Sequence, residues 1–154
     1  MRASASQRRI LQCMEVRELP FNKLIQLSSS DKSGYALMLQ GHEMYTNHLG
    51  TVHAAAQFSL AEACSAQLLK DLFPTNADSF IPLVRQVAVK YRKPALGAVY
   101  AKANLQDMSV DDVMEQLEQR KRALFHVMVQ LYDNADTLVM RADFEWFLTT
   151  KVQG

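Results

Sequence analysis

Asn47, His53 and Glu62 are the residues whose types and spacing suit chemistry on an acyl group. Asn47-His48-Leu49-Gly50-Thr51-Val52-His53 runs straight into an alanine-rich segment, Ala54-Ala55-Ala56-Gln57-Phe58-Ser59-Leu60-Ala61-Glu62. A turn built on Gly50 and Thr51 would deliver His53 to the start of a helix. The first N–H groups of a helix have no partner within it and carry partial positive charge, so the Ala54 N–H can hold a developing oxyanion. One such donor typically contributes about 2.7–4 kcal/mol to a transition state. Glu62 falls near the middle of the same helix, among apolar residues, where a charge is costly unless it is partnered or used. Partial desolvation raises a carboxyl pKa and makes the ionised form a better base.

Each of these residues also has a plainer reading. Glu62 can pair with Arg85 or Lys90, or lie on an exposed face. Asn47 suits a loop turn, since asparagine favours such backbone shapes. His53 can simply cap the helix. His42, His48 and His126 show none of the spacings of a helical metal site, so no metal is expected. Ser59 and Ser65 share a narrow stripe with Glu62, but no G-x-S-x-G elbow surrounds them.

The elements that must position these groups follow from patterning. A helix over residues 6–18 ends at Pro20, a short strand spans Leu24 to Ser30, and Asp31-Lys32-Ser33-Gly34 turns into a second strand from Tyr35 to Gly41. The long helix from about His53 to Leu72 is apolar around most of its circumference, so it belongs in the core. Four alternating segments follow: Gln86 to Arg92, Val99 to Leu105, Phe125 to Leu131 and Met140 to Leu148. Period-two alternation marks antiparallel strands with one buried face. Between the second and third of these, Ser109 caps a helix whose acidic first turns and basic end suit its dipole.

The composition bounds the rest. At 154 residues, 49% of them hydrophobic, the chain builds one core. A net charge of +1 leaves no basic excess for nucleic acid, and no apolar run is long enough to span a membrane. Two distant cysteines, Cys13 and Cys64, fit free thiols and a cytoplasmic location. The basic start lacks the apolar stretch of a secretory signal, although its Arg/Ser content also matches an organellar transit segment.

A strand pair, a buried central helix and four long antiparallel strands resemble the hotdog fold. Asn47, Gly50-Thr51, His53 and the acid at 62 resemble the N-x-x-G-T-x-H-G-G…D/E stretch of phenylacetyl-CoA-type acyl-CoA thioesterases, in the 4-hydroxybenzoyl-CoA thioesterase superfamily. Tyr91-Arg92-Lys93-Pro94-Ala95-Leu96-Gly97 is similar to that group's strand end after the helix. The resemblance covers about residues 22–149, leaving 1–21 as an N-terminal helical extension. It implies an α+β fold, a long curved antiparallel sheet wrapped around one hydrophobic helix. It further implies hydrolysis of an acyl-CoA to carboxylate and coenzyme A without a cofactor, by a homodimer or dimer of dimers. Glu62 would be base or nucleophile, facing Asn47, His53 and the Ala54 N–H across a subunit boundary, with Gly50, Thr51 and Ala55 against the substrate.

Arg92, Lys93 and the run Arg120-Lys121-Arg122 are candidates for the coenzyme A phosphates, since phosphate favours such cations. Cations at a helix end complement its dipole in any case. The chain departs from the family where Ala54-Ala55 replaces two glycines, adding methyl groups beside the thioester. A non-catalytic acyl-CoA-binding or regulatory protein is an alternative. An acyl-thioester hydratase is a weaker one, because no aspartate lies five or six residues from His53.

Overall fold

The computed structural model describes residues 15–73 and 79–151. Most of the helix expected over 6–18 lies outside them, as does Cys13. Val16–Glu18 forms a single 3₁₀ turn, and Pro20 opens a short helix α1, Pro20–Leu24, where the sequence pattern suggested a stop. Proline at the first helical position lacks only an N–H that would be unpaired there anyway. The boundary expected at residues 21 and 22 therefore falls inside α1.

The strand pair is present but short. Strands β1 (Ser28–Ser29) and β2 (Leu37–Leu39) pair antiparallel around the Asp31–Gly34 turn, where Gly34 takes φ 84°. Helix α2 (Ala54–Leu72) has nineteen residues and packs against β2 and the later strands β4 (Val99–Gln106), β5 (Arg122–Asp133) and β6 (Leu138–Thr150). Leu60, Ala61, Ala63 and Cys64 of α2 are fully buried. Small alanines let the sheet approach the helix closely, and Ser65 accepts a 3.2 Å hydrogen bond from the Trp146 indole N–H.

The six strands form one antiparallel sheet in the order β1-β2-β4-β5-β6-β3, with β3 being Phe80–Tyr91. In β5 the alternation is clean: Phe125, Val127, Val129 and Leu131 are buried and the residues between them are half-exposed. Each such apolar side chain contributes about 1.5–3 kcal/mol by leaving water. β3 begins six residues earlier than the alternation from Gln86 suggested. Ile81-Pro82-Leu83-Val84 carries no period of two, and Pro82 is tolerated because β3 is the edge strand.

Helix α3 (Val110–Arg120) starts with a full capping box: the Ser109 hydroxyl accepts from the Asp112 N–H, and the Asp112 carboxylate accepts from the Ser109 N–H. Val113 and Leu117 seat it on the core. It ends at Arg120, and Lys121 takes the left-handed conformation (φ 59°) that turns the chain into β5. No helix among the described residues is long and apolar enough to cross a membrane.

Candidate active site

The loop before α2 is built from its own side chains. The Asn47 Oδ1 accepts from the Leu49 N–H at 2.9 Å and the Thr51 N–H at 3.1 Å, while its Nδ2 donates to the Thr51 hydroxyl at 2.9 Å. Backbone bonds close the turn from the Asn47 N–H to the Thr51 carbonyl and from the Gly50 N–H to the Asn47 carbonyl. Gly50 has φ 73° with nothing near its absent side chain, so glycine is required there by conformation rather than by space. The turn therefore uses the Asn47 amide, as its plainer reading anticipated.

His53 is the N-cap of α2. Its Nδ1 accepts from the Ala55 N–H at 3.0 Å, so in the neutral ring the proton sits on the exposed side, at Nε2. The Ala54 N–H has no acceptor among the described residues, and Ala54 is exposed. Its carbonyl accepts from the Tyr91 hydroxyl at 3.0 Å, which pins the helix start to the end of β3.

Glu62 is half-buried two turns further on. Among the described residues its carboxylate makes no hydrogen bond and no ion pair. Arg85, one of its two suggested partners, instead lies 4.0 Å from Glu145 on β6. Burial alone pushes the Glu62 carboxyl above the usual carboxylate range. Ser59 and Ser65 are spoken for: their hydroxyls donate to the Ala55 and Glu62 carbonyls at 2.8 and 2.7 Å. Burial pushes the Cys64 thiol up to about 12, which disfavours the reactive thiolate.

The basic candidates divide into two places. Arg92 and Lys93 are exposed just past β3, beside the helix start, and their N–H groups donate to the Val139 carbonyl. Arg120 and Arg122 line a cavity of about 230 Å³ together with Arg85, Gln116 and Phe147. Lys121 is not among its lining residues; its carbonyl instead accepts from the Thr150 N–H at 3.0 Å.

The model of a family described as a domain of unknown function, DUF4442, matches residues 9–148. The chain belongs to the DUF4442 family. No curated protein matches it. Among solved structures it is similar to a Pseudomonas aeruginosa protein described as a probable thioesterase, at 24% identity and a TM-score of 0.76 over 98% of this chain and 99% of that one. A Shewanella oneidensis protein proposed to be a thioesterase gives 14% and 0.71 over 92% and 96%. A hypothetical thioesterase of Streptococcus pneumoniae, solved with coenzyme A, gives 14% and 0.57 over 82% and 88%. At these identities the likeness shows the fold, which is the hotdog fold that the sequence pattern led us to expect.

Two residues near the helix start of this DUF4442 protein escaped the sequence reading. Gln57 is buried in the first turn of α2; its Nε2 donates to the Val52 carbonyl at 3.0 Å, and its buried Oε1 has no partner among the described residues. The available signal was one amide in a run of alanines. Tyr91 was read as an apolar strand position and as the start of the segment that resembles the family's strand end, with no role for its hydroxyl, which holds the Ala54 carbonyl.

Proposed function

We propose that the protein hydrolyses acyl-CoA thioesters, with Glu62 as general base. The observation that carries this reading is the half-buried Glu62 carboxylate, without a partner among the described residues, on a helix whose first N–H is likewise free among them. Glu62 takes a proton from water as the water oxygen attacks the thioester carbonyl, and the Ala54 N–H holds the oxyanion. The C–S bond then breaks and the departing sulfur receives the proton, giving a carboxylic acid that ionises and free coenzyme A. Asn47 borders the oxyanion side, and the solved relative that holds coenzyme A supports the substrate class.

Distance supports a two-chain site. Eight residues of helix separate Ala54 from Glu62, about 12 Å at 1.5 Å per residue, whereas groups acting on one carbonyl must approach within about 3–3.5 Å. A second protomer resolves this by placing its own Glu62 opposite this chain's Ala54. The edge strand β3 offers the surface: it is exposed along most of its length, with Leu83 52% and Val84 36% accessible, and only one of its edges is paired.

The test is thiol release from a panel of acyl-CoAs of different chain length and aromaticity, with solution mass measured alongside. Hydrolysis by a dimer or tetramer is expected, and mixing inactive Asn47→Ala and Glu62→Gln subunits should restore part of the activity. No thiol release from any member would reject the reading. The engaged Asn47 amide and the capping His53 favour one alternative, a protein that binds acyl-CoA without cleaving it; binding without release would identify it.

A further inference from the structure

A cavity beside the middle of β3 is lined by three arginines from three elements: Arg85 from β3, Arg120 from the end of α3 and Arg122 from the start of β5. Arg85 is there because of a bulge. Val84 pairs with Trp146 and Gln86 with Glu145, so Arg85 is an extra residue without a partner on β6. A bulge of this kind re-aims a side chain out of the alternating pattern. The Arg85 guanidinium lies 5.9 Å from the centre of the Phe147 ring, within reach of a cation–π contact that holds it over the cavity.

Among the described residues, Glu145 is the one carboxylate that reaches this cluster, 4.0 Å from Arg85. Arg120 and Arg122 make no ion pair among the described residues, so one carboxylate at the edge of reach faces three cations. The dipole of α3 accounts for Arg120 at its end, but not for Arg85 or Arg122, which lie on strands. Three like charges converging on one concavity repel each other unless an anion joins them. Gln116 adds an amide donor, and Leu124 and Phe147 supply an apolar wall. At about 230 Å³ the space is smaller than the roughly 300–1,000 Å³ of a whole-ligand pocket, and suits one end of a ligand.

We propose that this cavity is a phosphate-ester subsite, with Arg85 as the residue that closes it and Arg120 and Arg122 as its other binding groups. Forked guanidinium donors match phosphate oxygens two at a time, and the Phe147 face suits an attached ring. The phosphate comes either from the nucleotide end of the thioester substrate or from a free phosphate compound. Only the first source rests on the function proposed above.

Calorimetric titration of the full-length protein with adenosine 3′,5′-bisphosphate, and separately with pyrophosphate, tests the subsite. Binding to the wild type is expected, weakened roughly ten- to a hundredfold in Arg85→Gln and in Arg122→Gln. Arg85→Lys, which keeps the charge and loses the fork, should fall between. Thermal melting and solution mass confirm that each variant is folded and keeps the wild-type assembly, since Arg85 lies on the edge strand offered above as the subunit surface. No binding of either compound, or equal binding by wild type and variants, overturns the proposal.

A second arm separates the sources by comparing kcat/KM for an acyl-CoA with that for the matching acyl-pantetheine, which lacks the nucleotide. A preference for the acyl-CoA that collapses in Arg85→Gln assigns the site to the substrate. A preference that persists while bisphosphate binding is lost assigns it to a free compound. Hydrolysis of neither thioester by the wild type would break the proposed function, and the titration would still decide the subsite.

Discussion

The entrance of α2 and its middle treat polar groups in opposite ways. At the entrance, the Asn47 carboxamide hydrogen-bonds to Leu49 and Thr51 within its own turn and the His53 ring caps the helix. In the middle, Glu62 is half-buried and has no partner among the described residues. The entrance is what a chain builds to fold, because every orphan amide it satisfies stabilises the loop. An unpaired, partly desolvated carboxylate costs stability, so its place in the fold points to use.

The largest effect should come from Glu62→Gln. Removing the base is expected to lower kcat at least about a hundredfold, roughly 2.7 kcal/mol of barrier. The same change should raise Tm at neutral pH. Because burial raises the Glu62 pKa, the fold prefers the neutral carboxyl. Its contribution is fully present below the ordinary carboxylate range and is lost as pH rises through the raised value. The Tm gain should therefore shrink on acidification, and wild-type activity should climb with pH across the same window. Unchanged kcat with unchanged Tm would erase the contrast between the two regions.

Asn47 sharpens the contrast from the other side. Asn47→Ala removes the bonds that close the turn and should cost about 1–3 kcal/mol, several degrees in Tm. Asn47→Asp keeps the acceptor for the Leu49 and Thr51 N–H groups, replaces the donor by a second acceptor and adds a negative charge. It should melt close to wild type while losing about tenfold in kcat/KM, a modest transition-state contribution. Full activity in that variant would confine Asn47 to the loop.

His53→Ser exchanges one capping acceptor for another of the preferred type. Activity should stay within about threefold and stability within about 1 kcal/mol. A hundredfold loss would give the imidazole a proton-transfer role and move the chemistry to the entrance.

The smallest effect concerns His126, remote from both regions. Its Nδ1 lies 2.6 Å from Asp143, which, more than the nearby Glu145, raises its pKa. That stabilising contribution is present below the ordinary imidazole range and is lost as pH rises through the raised value. His126→Gln should flatten this shallow slope above about pH 6.5 and leave the Glu62 limb at lower pH untouched. A change in the lower limb would show that the acid-side profile does not belong to Glu62.

Much of this was legible in local pattern. The span of α2, the cap at Ser109 and the alternation of β5 are set by residues within a turn or two of each other, and each appears close to where the pattern put it. The first strand pair was drawn too long because apolar residues around Leu24 to Leu27 serve α1 and the core rather than a strand. The pairing suggested between Glu62 and Arg85 did not form, since the bulge directs Arg85 toward Glu145 and Phe147.

By itself the sequence determined the helix that carries Glu62, the spacing of Asn47, His53 and Glu62 along the chain, and the inward faces of the long strands. These depend on backbone propensity and hydrophobic period, which act over a few residues. Only the tertiary structure decided that β3 crosses to the sheet edge, that Arg85, Arg120 and Arg122 meet at one cavity, and that Glu62 has no partner among the described residues. Those outcomes depend on which distant strands pair and in what register, and on desolvation summed over neighbours far away in the chain.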